Sequence, residues 1–327
     1  MYDRMRDFIE KHSLLYSSQY GFRQAHSTQH AILDIVETIQ ANMDKKLFSC
    51  GVFIDLKNAF DTVNHTILLD KLNYYGFRGI VNQWFSSYLS NRTQSTEIGS
   101  HISSKLNINC GVPQGSVLCP LLFLLYINDI QYCSSKLQFF LFADDTNALY
   151  AHKDLKTLEL TVNAELHNLY NWLTSNKLSL NIKKLNYVIF RPYQKKLNYD
   201  PQVNIFDNES NKNVTLERKN FIKYLGLLID ENLSWKTHIH SVANKISKTI
   251  GLIARLRHIV PTCTLLNIYQ SLIRPYLTYG LISWGNTCKT FLDHILVLQK
   301  RTLRLIYFAE TNDHAIPFFV NAKILPL

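Results

Sequence analysis

Residues 137–150 read Leu-Gln-Phe-Phe-Leu-Phe-Ala-Asp-Asp-Thr-Asn-Ala-Leu-Tyr. The mostly apolar stretch 137–143 predicts a strand and residues 147–150 a second, with Asp144-Asp145-Thr146 at the tight turn between them. Acids are ordinary turn residues, so the pair alone says little. A third acid changes that. Asp55 ends another short apolar run, residues 50–54, which also reads as a buried strand. If the two strands are neighbours in one sheet, Asp55, Asp144 and Asp145 meet at one edge. Clustered carboxylates repel and need a counter-charge. Mg²⁺ supplies one through hard oxygen ligands, often shared with substrate phosphates. Two such ions can activate an attacking hydroxyl and stabilise the leaving oxygen.

Working outward, apolar residues at 32, 35, 36 and 39 predict a helix, and residues 64–75 another, with Gly76 as its stop. Residues 109–113 read as a turn and 119–130 as a strongly apolar, buried helix. Apolar positions 155, 158, 162, 166, 169 and 172/173 have helical spacing, and 187–190 reads as a strand. The polar stretch 191–214 reads as an irregular insertion or hairpin. From Trp235 onward the pattern is helical, with Ile239, Val242, Ile246, Ile250 and Ile253 on one face and a break at Arg274-Pro275. Strands and helices first, then helices alone, make an α+β fold followed by a helical region.

The 327 residues suggest roughly two domains. Hydrophobic residues are 46 % and charged residues only 18 %, which excludes a disordered tail or a solvated coiled coil. Lys and Arg outnumber Asp and Glu 35 to 25, a net charge of +10. From 245 to 310 nine basic residues face two acids, a local balance of +7. That region is either a helical bundle with a solvated basic face or a track for a nucleic-acid backbone. The six cysteines, at 50, 110, 119, 133, 263 and 288, form no C-x-x-C pair and no zinc spacing. The longest uncharged stretch, 106–128, holds too short an apolar segment to span a bilayer. We expect an intracellular chain in reduced surroundings with no membrane partner.

Three segments occur in order: F-x-D-L-x-x-A-F-D at 53–61, G-V-P-Q-G-S-V-L-x-P at 111–120, and F-A-D-D at 142–145. Together they resemble the palm of a reverse transcriptase, most nearly that of the non-LTR (LINE-type) retrotransposons. Further segments extend the resemblance over nearly the whole chain. Gly21-Phe22-Arg23 resembles a fingers motif, 178–184 (L-S-L-N-I-K-K) the next palm motif, and Tyr224-Leu225-Gly226 a primer-grip hairpin. Residues 269–284 and 298–301 resemble the segments C-terminal to the palm in that family.

The resemblance implies a right-hand polymerase: an antiparallel palm sheet with packed helices, partial fingers and a helical thumb-like region. It implies partial fingers at 1–48, palm at 49–190, insertion and primer-grip hairpin at 191–234, and thumb-like helices with a truncated tail at 235–327. It implies an RNA-directed DNA polymerase using an RNA template, a DNA primer and dNTPs, with two Mg²⁺ ions, Mn²⁺ being the alternative ion. Asp55, Asp144 and Asp145 match the metal-site acids, Asp145 as the lesser contributor. Phe60 matches the bulky residue whose ring excludes a ribose 2′-OH; it also reads as an ordinary core Phe. Gln114 and Gly115 match the turn against nucleotide and template. Arg23 matches a triphosphate contact and equally a surface arginine. Lys184 matches a lysine near the leaving pyrophosphate, and also reads as a solvated strand-end lysine.

The sequence departs from the family pattern after Arg23, where Gln24-Ala25-His26 follow, and after Lys184, where Leu185 follows. We also expect a chain cut within the fingers and lacking the upstream endonuclease. Two other readings stay open: an element remnant that binds an RNA–DNA duplex without polymerising, and another palm enzyme such as a nucleotidyl cyclase.

Overall fold

The computed structural model describes residues 1–207 and 212–327. Part of the expected insertion at 191–234, residues 208–211, lies outside the described residues. The chain forms two compact units. The first comprises residues 1–31 and 41–219, the second residues 32–40 and 220–327.

In the first unit, among the described residues, five strands make one sheet. Their order is Glu217–Arg218, Asn186–Phe190, Phe48–Ile54, Asp145–His152, Gln138–Phe142. Strand Phe48–Ile54 is central and wholly buried, and apart from Ser49 its sequence is apolar, as burial on both faces requires. It runs antiparallel to Asp145–His152, with Phe48 opposite His152 and Ile54 opposite Thr146. On its other side Gly51 faces Val188. The hairpin read from residues 137–150 is present, with Phe142 paired to Asp145. The second strand starts earlier than expected because Asp145 itself joins the ladder, and Ala143 takes the left-handed turn conformation, φ 56°.

The apolar helix is Leu118–Ile127, buried all round, and a 3-10 turn, Asn128–Cys133, continues it where a longer helix was expected. Polar Asn128 explains the change: its side-chain amide donates to the Leu14 carbonyl and its oxygen accepts from the Tyr16 N–H. Helix Leu155–Ser175 follows the expected period, its Leu158, Val162, Leu166, Leu169 and Leu173 buried. Asn64 caps helix His65–Tyr74 by accepting from Ile67 N–H. The stretch after residue 191 includes a true hairpin, Asn204–Asp207 with Lys212–Thr215.

The second unit carries the hairpin Phe221–Tyr224 and Leu227–Asp230, then helices. Asp230 organises the entry to helix Lys236–Leu256: its carboxylate accepts from the N–H groups of Asn232, Ser234 and Trp235. That helix buries Ile239, Val242, Ile246, Ile250 and Ile253 along one face, while Lys245, Lys248 and Arg255 lie exposed. The break at Arg274-Pro275 separates helix Thr262–Leu272 from Arg274–Thr278. Among the described residues no helix is long and apolar enough to cross a membrane.

Candidate active site

The sheet register positions the acids. Asp55 directly follows Ile54, whose partner Thr146 lies one residue beyond Asp145. Asp144 and Asp145 sit at the turn joining Thr146 to the outer strand. All three carboxylates therefore share one end of the sheet. Burial pushes the Asp145 carboxyl up from its ordinary range, the charges of Asp144 and Asp55 push it further, and Lys184 opposes them.

The Asp55 carboxylate is turned onto chain partners. Its Oδ2 accepts from Asn181 Nδ2 at 2.8 Å and lies 3.2 Å from Lys184 Nζ. Backbone bonds hold this segment in place: Asn181 N–H donates to the Asp55 carbonyl and Lys57 N–H to the Ser179 carbonyl. Lys184 belongs to a 3-10 turn, Ile182–Lys184, rather than to a strand end. Among the described residues, no three acidic, His or Cys side chains stand close enough to ligate one ion together. The donor set nonetheless suits a hard divalent cation: all the atoms are carboxylate oxygens, and their mutual repulsion is what such an ion relieves.

Phe60 is half-buried and packs on Phe123, ring centroids 4.3 Å apart. The turn at 113–116 is tied to the Phe60 segment. Val112 N–H donates to the Phe60 carbonyl, Gly111 N–H to the Val63 carbonyl, and Gln114 Nε2 to Asp61 Oδ1 at 2.7 Å. Gly111, at φ 88°, passes so close that a Cβ would come within 2.8 Å of the Asp61 carbonyl oxygen. Gly115 has φ 81° and open space beside it. Phe60, Gln114 and Gly115 line one cavity of about 340 Å³. Arg23, which reads as a triphosphate contact or a surface arginine, is half-buried. Its Nη1 donates to the Tyr16 and Gln19 carbonyls, and burial lowers its pKa.

Tyr224, Leu225 and Gly226 belong to the second unit. Leu225 and Gly226 form the hairpin turn, φ 42° and 93°, and Tyr279 OH donates to the Leu225 carbonyl at 2.5 Å.

Two residues that sequence reasoning did not single out matter here. Asn181 lay inside a quoted motif. Gln19 carried no pattern, yet it is buried, and its Oε1 accepts from Gly21 N–H at 2.8 Å and Ala143 N–H at 3.1 Å. It braces the residue before Asp144.

A mixed sheet with acids at one end, in a chain that continues into a helical unit, has the right-hand polymerase architecture. Residues 1–229 match the family described as reverse transcriptase (RNA-dependent DNA polymerase), and the chain belongs to that family. It is 29 % identical over 323 residues to a probable RNA-directed DNA polymerase from transposon X-element of Drosophila melanogaster, covering 94 % of this chain and 34 % of that protein. To the RNA-directed DNA polymerase from mobile element jockey of the same species it is 28 % identical over 310 residues, covering 90 % and 33 %. The chain thus spans about a third of the length of these relatives. The fold is also similar to that of apo telomerase from Candida tropicalis, with TM-score 0.50 and 12 % identity over 94 % of this chain and 49 % of that one.

Proposed function

We propose that this chain is the RNA-directed DNA polymerase part of a retrotransposon protein, extending a DNA primer on an RNA template with dNTPs. The observation that carries the reading is the register that brings Asp55 beside the Asp144-Asp145 turn. Asp55 and Asp144 would hold two Mg²⁺ ions, with Asp145 the lesser contributor and Mn²⁺ the alternative. When bound, the ions would lower the pKa of the primer 3′-OH and offset the charge developing on the phosphates.

In the reaction the primer 3′-oxygen forms a bond to the α-phosphorus as the bond from that phosphorus to the β-phosphate oxygen breaks, and pyrophosphate leaves. Phe60, held by Phe123, would occupy the space a ribose 2′-OH needs. Gln114 and Gly115 would lie against the nucleotide, Gly115 because its missing side chain leaves the backbone open. Lys184, on an exposed turn beside Asp55, would carry positive charge toward the departing pyrophosphate. The turn at 224–226 would steady the primer strand, and Arg23 would add positive charge to the fingers side.

Primer extension on a defined RNA template tests this. We expect Mg²⁺-dependent incorporation of dNTPs that falls to background in Asp144→Asn. Extension unchanged in that variant would refute the site. Duplex binding with no extension by the wild-type chain would leave only a nucleic-acid-binding role.

A further inference from the structure

We propose that Phe22 is a second aromatic wall of the nucleotide pocket and sets affinity for the sugar and base of the incoming dNTP. The inference rests on the polymerase reading of Phe60, Gln114 and Gly115.

Phe22 is 57 % exposed, an unusual position for a large apolar ring. Its backbone is left-handed, φ 54°, a conformation costly for a bulky residue and concentrated at functional sites. The segment that carries it is fixed to the strand leading into Asp144. Tyr20 N–H donates to the Leu141 carbonyl and Leu141 N–H to the Ser18 carbonyl. Gln19 Oε1 joins Gly21 to Ala143. Gly21 lies so close to that strand that a Cβ would fall 2.3 Å from Ala143 N. The exposed ring therefore stands on a rigid mount.

The surroundings of the ring give the ligand class. Phe22 meets Phe60 edge-on, centroids 6.5 Å apart at 87°. Phe22, Phe60, Val117 and Pro120 line the same cavity as Gln114 and Gly115. A cavity with mostly apolar walls, whose polar side chains are the Gln114 amide, the Ser116 hydroxyl and the Cys119 thiol, beside the bare backbone of Gly115, suits a flat, weakly polar moiety with few hydrogen bonds to satisfy. A deoxyribose with its base is such a moiety. Two rings at right angles make a corner, so Phe22 would act on affinity and, with Phe60, on sugar choice.

Steady-state extension by the full chain separates this from a structural role. For Phe22→Ala we expect KM for dNTP to rise about tenfold with kcat, the KM for primer–template and the melting temperature nearly unchanged. Phe22→Tyr should restore the KM. An unchanged dNTP KM, or a rise shared with primer–template, would overturn the inference. Titration of the wild-type and Phe22→Ala chains with a fluorescent dNTP in Mg²⁺ is independent of turnover. A wild-type chain that binds nucleotide but does not extend would defeat the polymerase reading while still testing Phe22. Equal affinity in the two chains would defeat the Phe22 assignment alone.

Discussion

Lys184 Nζ lies 3.2 Å from Asp55 Oδ2, with the lysine side chain 68 % exposed and the aspartate 35 %. A pair this open is well screened and contributes about 0–1 kcal/mol to stability. Its value lies in where it puts a positive charge, next to an acid of the candidate site.

Lys184→Ala should therefore separate stability from turnover. Calorimetry should show a melting temperature shifted by no more than a few degrees. Single-turnover incorporation should slow by about 100-fold if the ammonium assists pyrophosphate departure. Equal rates in the two chains would mean Lys184 serves only as a neighbour of Asp55.

Gln19→Leu should do the opposite and damage the fold at the site. It removes one buried acceptor serving two N–H groups, Gly21 and Ala143. Leaving both unpaired costs about 2–4 kcal/mol. We expect a clearly lower denaturation midpoint together with lost extension, because Ala143 precedes Asp144. A midpoint within error of wild type would show that the segment around Gln19 is held instead by the backbone bonds that Leu141 makes with Tyr20 and Ser18.

The contrast between Gln19 and Asp144 shows what the sequence could and could not reveal. Residues 50–54 of strand Phe48–Ile54 and the hairpin around Asp144 were legible because buried strands need apolar runs and a tight turn needs short polar residues; Phe48 was not, because polar Ser49 interrupts the run. Helix Leu155–Ser175 was legible from its period. Gln19 was not: it sits outside any periodic element, and its role depends on a contact 124 residues away. The helix Ile80–Leu89 was missed for another reason. It buries only Phe85 and Leu89, so its apolar stripe is thin against exposed Ile80 and Trp84. The partners of Arg23 and Lys184 were equally invisible, since long side chains choose among neighbours that only the fold supplies.

His238 should make the second unit acid-sensitive. It is buried among Trp235 and Trp284, and its ring nitrogen Nδ1 accepts from Leu228 N–H. Burial, with a smaller contribution from Lys245, pushes its pKa down from 6.5 to about 4. Between those values the unfolded chain binds more protons than the folded one, so stability rises with pH. The contribution is complete above about pH 6.5 and is lost as pH falls toward 4, about 3 kcal/mol in all. Melting at pH 5 and pH 7.5 checks this: the loss at pH 5 should be smaller in His238→Leu than in wild type. An equal loss in both would assign the acid sensitivity to other groups.

Binding of an RNA–DNA duplex should be strongly salt-dependent, and the second unit should supply part of the dependence. Lys245, Lys248, Arg255, Arg274, Lys289 and Arg301 all lie exposed there, with few acids between them. Each phosphate that such a residue neutralises releases condensed counterions, so affinity falls as salt rises. An A-form-like duplex is gripped by backbone and shape, which makes the expected binding weakly sequence-dependent. Lys248 and Arg301 project from helices Lys236–Leu256 and Lys289–Ile306, whose buried faces do not need them. Replacing both with Ala should leave the fold intact and reduce the slope of log affinity against log salt by about 2. Anisotropy titrations of a labelled hybrid from low to high salt measure that slope. A wild-type affinity that stays flat across the range, or a slope unchanged in the double variant, would remove these helices from the nucleic-acid interface.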